Sequence, residues 1–127
     1  ALGTTLTPIA GLSVQALFNY YDKNYSDWGP SAREVESDGT ADREQVWMAP
    51  SYNKLDLHVN YDLPISIAGT KMTAFAHVFN ALDAVYVQDA VDHSQYNSYG
   101  DKVHAAHNAE VFLGTPMYFN GGLKVSF

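Results

Sequence analysis

The sequence predicts an all-β chain of antiparallel, up-and-down strands, and three observations carry that expectation. Four segments alternate apolar and polar residues with a period of two. The connections between them alternate short and long. Nine Tyr, six Phe and two Trp stand among 127 residues, a ring-rich composition that suits sheets better than helical bundles.

The first segment, Leu12 to Tyr21, places Leu12, Val14, Ala16, Phe18 and Tyr20 together, with Ser13, Gln15, Leu17, Asn19 and Tyr21 opposite. The second, Lys54 to Leu63, is the cleanest. Its odd positions are Leu55, Leu57, Val59, Tyr61 and Leu63, and its even positions are Lys54, Asp56, His58, Asn60 and Asp62. Successive strand side chains point to opposite faces, so the segment has one apolar and one polar face, whereas a helix would scatter the apolar residues around its axis. The third, Lys71 to Ala81, is mixed. Met72, Ala74, Ala76 and Val78 form the face expected to be apolar, but Phe75 and Phe79 lie on the other with Thr73 and His77. The fourth sets Met117, Phe119, Leu123, Val125 and Phe127 against Tyr118, Asn120, Lys124 and Ser126. Gly121 and Gly122 interrupt it, where glycine weakens a strand but permits bending or close approach.

Pro8 to Gly11 reads as a short turn into the first strand, and Pro64 to Thr70 as a short link between the second and third. The connections from about Asp22 to Pro50 and from Asp83 to about Pro116 are long and polar. They carry Glu34, Glu36, Asp38, Asp42 and Glu44 in the one and Asp83, Asp89, Asp92, Asp101 and Glu110 in the other. Val85 to Val87 and Val111 to Leu113 are strand-like within the second. Short turns on one side and long loops on the other are the pattern of up-and-down membrane barrels, whose extracellular loops are the long ones.

Composition excludes several classes. The net charge is −7, from 14 acidic and 7 basic residues, so the basic footprint that nucleic acid demands is missing. Without cysteine there is no disulfide framework or thiol chemistry. No run of about eighteen apolar residues marks a membrane helix, while alternating barrel strands escape such a search. Four strands cannot close a barrel, which needs about eight. Residues 1–127 are therefore expected to be one portion of a larger barrel domain, with two long extracellular loops and the earlier strands elsewhere.

Two stretches carry a family resemblance. The last strand, Phe119-Asn-Gly-Gly-Leu-Lys-Val-Ser-Phe127, resembles the terminal signature of bacterial outer-membrane proteins, matched here by Phe119, Leu123, Val125 and Phe127. The run His77-Val-Phe-Asn-Ala-Leu-Asp-Ala-Val-Tyr86 is similar to a stretch near the end of TonB-dependent receptors. It keeps Phe79, Asn80, Asp83 and Tyr86 and departs at His77, where the family has Asn. Pro50-Ser-Tyr-Asn-Lys-Leu-Asp resembles the entry to the preceding strand through Tyr52, Leu55 and Asp56. The resemblance covers nearly the whole chain and is nearest to receptors of the Bacteroidetes type. It implies a barrel of about 22 strands filled by a plug, set in outer-membrane lipid. It further implies assembly through recognition of the last strand, a TonB complex acting on a plug absent from this sequence, and uptake of a scarce nutrient. This chain would supply about the last four strands and last two extracellular loops.

Within the second long connection, Tyr86, Gln88, Gln95, Tyr96, Asn97 and Tyr99 are candidate ligand contacts, since Tyr and Asn offer adaptable area and hydrogen bonds; they serve equally as loop packing. His104 and His107, with His93, Asp101 and Glu110 nearby, are the weak candidates for a metal site. The alternative is a polar loop with surface histidines, and no metal or other cofactor is expected. His58 and His77 are expected in a wet interior. No Ser, Lys or His sits in a nucleophile motif, so no enzyme is expected. The expected function is nutrient transport across the outer membrane; a passive porin-like barrel and a small soluble ligand-binding β-domain are the alternatives.

Overall fold

The computed structural model describes residues 1–27, 39–67, 69–93 and 102–127. Among these residues the strands are β1 (Leu2–Leu6), β2 (Leu12–Tyr21), β3 (Asn24–Tyr25), β4 (Met48–Ala49), β5 (Tyr52–Ile67), β6 (Thr70–Phe79), β7 (Val87–Asp92), β8 (Ala109–Leu113) and β9 (Tyr118–Ser126). A short 3-10 turn spans Ala106–Asn108. The chain is all-β with antiparallel sheets, and it divides into two units.

The first unit contains residues 1–20, 52–84 and 115–127. It is a five-stranded sheet in the order β1-β2-β5-β6-β9, one strand more than the four expected. The addition is β1, which pairs antiparallel with β2 from Leu2↔Phe18 to Leu6↔Val14. Its five residues carry too few repeats to stand out as a pattern. The sheet is open, with β1 and β9 at its edges.

Register decides which face each residue shares. Leu57, Val59 and Tyr61 of β5 stand opposite Val78, Ala76 and Ala74 of β6. On its other side β6 sets Met72, Ala74, Ala76 and Val78 against Val125, Leu123, Gly121 and Phe119 of β9. One apolar face therefore runs across three strands, and the mixed third segment joins it through its Met/Ala/Val positions, as the sequence suggests. Phe75 and Phe79 turn to the opposite face for reasons the register makes plain. Phe75 lies across from Gly122, and a Cβ there would come within 2.9 Å of its ring. An aromatic side chain covering a cross-strand glycine compensates for the packing that glycine lacks. Phe79 stands opposite Tyr118, the rings stacked at 4.7 Å and 14°.

The link expected at Pro64 to Thr70 is shorter than its sequence suggests, because β5 continues through Pro64 to Ile67. Pairing shifts between Asp62↔Thr73 and Ser66↔Lys71. The extra β5 residues form a bulge, and a bulge tolerates a proline that has no N–H for the ladder.

The second unit is built from the two long connections, residues 21–51 and 85–114. It holds two small hairpins, β3 with β4 and β7 with β8. Asp27 joins them by a parallel bridge to Val91, its N–H donating to Ala90 O at 2.6 Å while its carbonyl accepts from Asp92 N at 3.1 Å. The long connections are thus themselves partly strand: Val111 to Leu113 lies within β8, whereas of Val85 to Val87 only Val87 is strand, because β7 begins there.

Burial differs sharply between the units. Among the described residues, the buried apolar side chains are Ala49, Tyr86 and Ala90, all in the second unit. The apolar face of the sheet buries nothing fully: Phe119 is 80% exposed and Leu123 65%.

Candidate functional site

Three arrangements of polar residues could support function. The most deeply buried lies in the second unit. Asp92 ends β7, Asp42 comes from the first long connection, and His104 lies just before the 3-10 turn. His104 Nδ1 is 2.6 Å from Asp92 Oδ2, and its Nε2 is 3.0 Å from Asp42 Oδ2. The imidazole is 2% exposed and both carboxylates 1%. Asp42 Oδ1 also accepts the N–H of Glu44 at 2.9 Å. An ionised carboxylate only accepts, so a ring that donates from both nitrogens, the imidazolium, satisfies both partners at once. The arrangement binds the two connections to each other. With a carboxylate at each ring nitrogen, neither nitrogen of His104 faces an open position.

The histidines and acids grouped by sequence proximity therefore separate in space. His93 pairs with Glu110 at 2.6 Å on the surface. His104 is enclosed between Asp42 and Asp92, and His107 is exposed on the 3-10 turn. Asp101 lies outside the described residues. Among the described residues no group of three or more His, Asp or Glu side chains is arranged to hold a metal ion. The Asp42–His104 pair was not legible as a pair, because two residues 62 positions apart have no spacing signature.

The second arrangement is a clasp in the first unit, made by the residues of the family-like stretches. Asn80 is 1% exposed and has φ +50°. Its amide donates to Ala84 O at 3.0 Å and to Thr115 O at 3.2 Å, and its Oδ1 accepts from Ala84 N at 3.1 Å. Its own N–H donates to Asp56 Oδ1 at 2.8 Å. Asp83, at φ +48°, donates its N–H to Asn80 O, while its Oδ1 accepts from Met117 N at 3.0 Å. Asn and Asp are the side-chain-bearing residues that best tolerate this left-handed backbone and can also bond to nearby main chain. Asp56, Asn80 and Asp83 thus fasten the end of β6 to its neighbours and to the approach to β9.

Of the six candidate ligand contacts, Gln95, Tyr96, Asn97 and Tyr99 lie outside the described residues. Gln88 is exposed on β7. Tyr86 is buried, and its ring occupies the space beside Gly114, where any Cβ would overlap it. Gly114 N also donates to Tyr86 O at 2.9 Å. Tyr86 accordingly packs the base of the second connection, and its ring offers little surface to a ligand. The signature positions Phe119, Leu123 and Val125 of β9 and Phe127 just beyond it are exposed, Phe127 fully.

The third arrangement lies on the face of the sheet opposite the apolar one. His58 and His77 are direct cross-strand partners, with Nδ1 to Nδ1 at 2.9 Å. Phe75 and Phe79 flank His77, at centroid distances of 5.4 and 6.2 Å. Further along, Thr73 Oγ1 donates to Asp62 Oδ1 at 2.7 Å. Sequence reading placed both histidines on this face without anticipating their direct contact. Compared with protein-family models, with curated proteins and with solved structures, the chain matches none of them.

Proposed function

We propose that this chain is a C-terminal portion of an outer-membrane β-barrel of the TonB-dependent receptor kind, contributing wall strands and two external loops to nutrient uptake. The observation that carries the reading is the sheet's two-facedness. One face is apolar and continuous in register from β5 through β6 to β9, mostly half-buried on β5 and β6 and exposed on β9. The other holds His58, His77, Asp62 and Thr73 in mutual hydrogen bonds. A sheet with a solvated polar side and an uncovered apolar side suits a barrel wall between lipid and a wet lumen. Five strands leave two edges, and closure in lipid requires that further strands pair them. In this reading β9, with Phe119, Leu123, Val125 and Phe127, is the strand that the barrel-assembly machinery recognises, and TonB acts through a plug.

In this reading the described parts of the two loops carry structure of their own, the β3–β4 and β7–β8 hairpins. Asp42–His104–Asp92 holds the two together, and the exposed Gln88 is a position available to a siderophore, cobalamin, saccharide or peptide.

The test is the intact mass of the native polypeptide extracted from the envelope fraction of its source. A mass several-fold above 14.0 kDa, in the outer membrane, is the expected result. A native species near that mass, recovered without detergent, would overturn the proposal in favour of a small β-domain.

A further inference from the structure

We propose that His58 and His77 form a chelating site for a divalent cation with tetragonal preference, Cu2+ or Ni2+, on the polar face of the sheet. The inference does not depend on the transport reading, because it rests on the local geometry of β5 and β6 alone. The two residues are direct partners across the antiparallel pair, so both rings rise from the same face. Their Nδ1 atoms converge to 2.9 Å. With metal–imidazole bonds of about 2.0–2.1 Å, two nitrogens at that separation subtend close to ~90° at a shared metal. That angle suits adjacent positions of a square-planar or octahedral ion. A tetrahedral ion would need the nitrogens a few tenths of an ångström further apart, so zinc fits less well.

The surroundings hold the rings where they are. His58 packs edge-on to His77 at 4.9 Å and to Phe79 at 5.5 Å, and Phe75 flanks His77. Chelation then needs little side-chain ordering beyond what the sheet already imposes. The next residue in the same cross-strand row is Asn120 of β9, opposite His77. Its row position makes its amide oxygen a candidate for a further ligand, with water filling the rest.

Without metal, the Nδ1–H of one ring donates to the Nδ1 lone pair of the other. Metal binding displaces that proton, to Nε2 of the same ring or to water, and each ring then presents an Nδ1 lone pair. Both ions lie at the strong end of the divalent affinity order for such ligands.

The experiment is a titration of the full chain, folded in detergent micelles, with Cu2+. It is followed by electron paramagnetic resonance and by paramagnetic broadening of the histidine ring signals in NMR. The expected result is one bound equivalent with a two-nitrogen hyperfine pattern and selective loss of the His58 and His77 ring signals. His58→Gln and His77→Gln should each weaken binding by at least on the order of tenfold, the loss that even outer-sphere partners of a metal incur. His107→Gln should leave it unchanged. Should a variant fail to fold, the broadening pattern of the unaltered chain decides alone. Broadening that falls on His93, His104 or His107 and spares His58 and His77 would overturn the site, as would absence of binding.

Discussion

His104 and Asp92 meet at 2.6 Å in the interior of the second unit, and the other ring nitrogen of His104 faces Asp42 at 3.0 Å. The ring and both carboxylates are almost fully enclosed, so the one imidazole is a hydrogen-bond partner to both acids. Removing one partner of such a set leaves buried charge without compensation, and the structure must open or protonate to relieve it.

His104→Ala should therefore destabilise the second unit by about 3–5 kcal/mol, the usual cost of breaking a buried ion pair from one side. Hydrogen exchange is the suitable measurement. The amides of Asp27 and Asp92, which join the two small hairpins, should lose protection, while β5 and β6 keep theirs. Unchanged exchange at Asp27 and Asp92 would show that the hairpins hold without the imidazole.

Asn80→Ala removes two donated bonds and one accepted bond and leaves at φ +50° a residue that tolerates the left-handed region less well than Asn. The expected loss is about 2–4 kcal/mol, from unsatisfied main-chain groups and from left-handed strain. Asn80→Gly relieves the strain and restores none of the bonds, so it should fall between Ala and the native residue. Thermal unfolding of the three proteins tests the order; equal midpoints for Ala and Gly would exclude a backbone contribution.

Gly114→Ala drives a methyl into the Tyr86 ring and should cost about 1–3 kcal/mol through overpacking. Pairing it with Tyr86→Ala should remove the penalty. A double-mutant cycle reads this directly as a coupling energy, and residues in contact show about 0.5–3 kcal/mol. Strict additivity would mean that the ring does not occupy that space.

The two faces of β9 should respond oppositely to charge. Leu123→Arg, on the apolar face, is expected to cost about 2–4 kcal/mol if that position sits near the middle of a bilayer. Asn120→Arg, on the other face, should cost little. Folding into lipid vesicles, with urea titration of each variant, provides the comparison. Equal tolerance at the two positions would count against the lipid-facing assignment.

What was legible in the sequence is what repeats locally. The faces of β5 and β9 follow from alternation alone, since every second residue of Lys54–Leu63 is apolar. Phe75 and Phe79 blurred β6 because their roles, covering Gly122 and stacking on Tyr118, belong to a neighbouring strand. Pro64 reads as a chain break, and only the bulge shows why β5 can pass through it. The same distinction holds in the candidate sites. Asn80, Asp83 and Tyr86 could be singled out as a motif, but their role as fasteners depends on Thr115, Met117 and Gly114, some thirty residues away. Asp42 and His104 share nothing that a window along the chain could detect.

The Asn80 clasp has a bearing on how such a chain can change. By joining Ala84 and Thr115 through one side chain, it marks off everything between them as an excursion whose two ends are already brought together. The closure entropy of a loop grows only logarithmically, by about 0.6 kcal/mol for each doubling of its length. Insertions, deletions or wholesale replacement between those two residues would then leave the pairing of β6 with β9 intact. The clasp makes the excursion an exchangeable cassette, set on a strand pair that its replacement would leave in place.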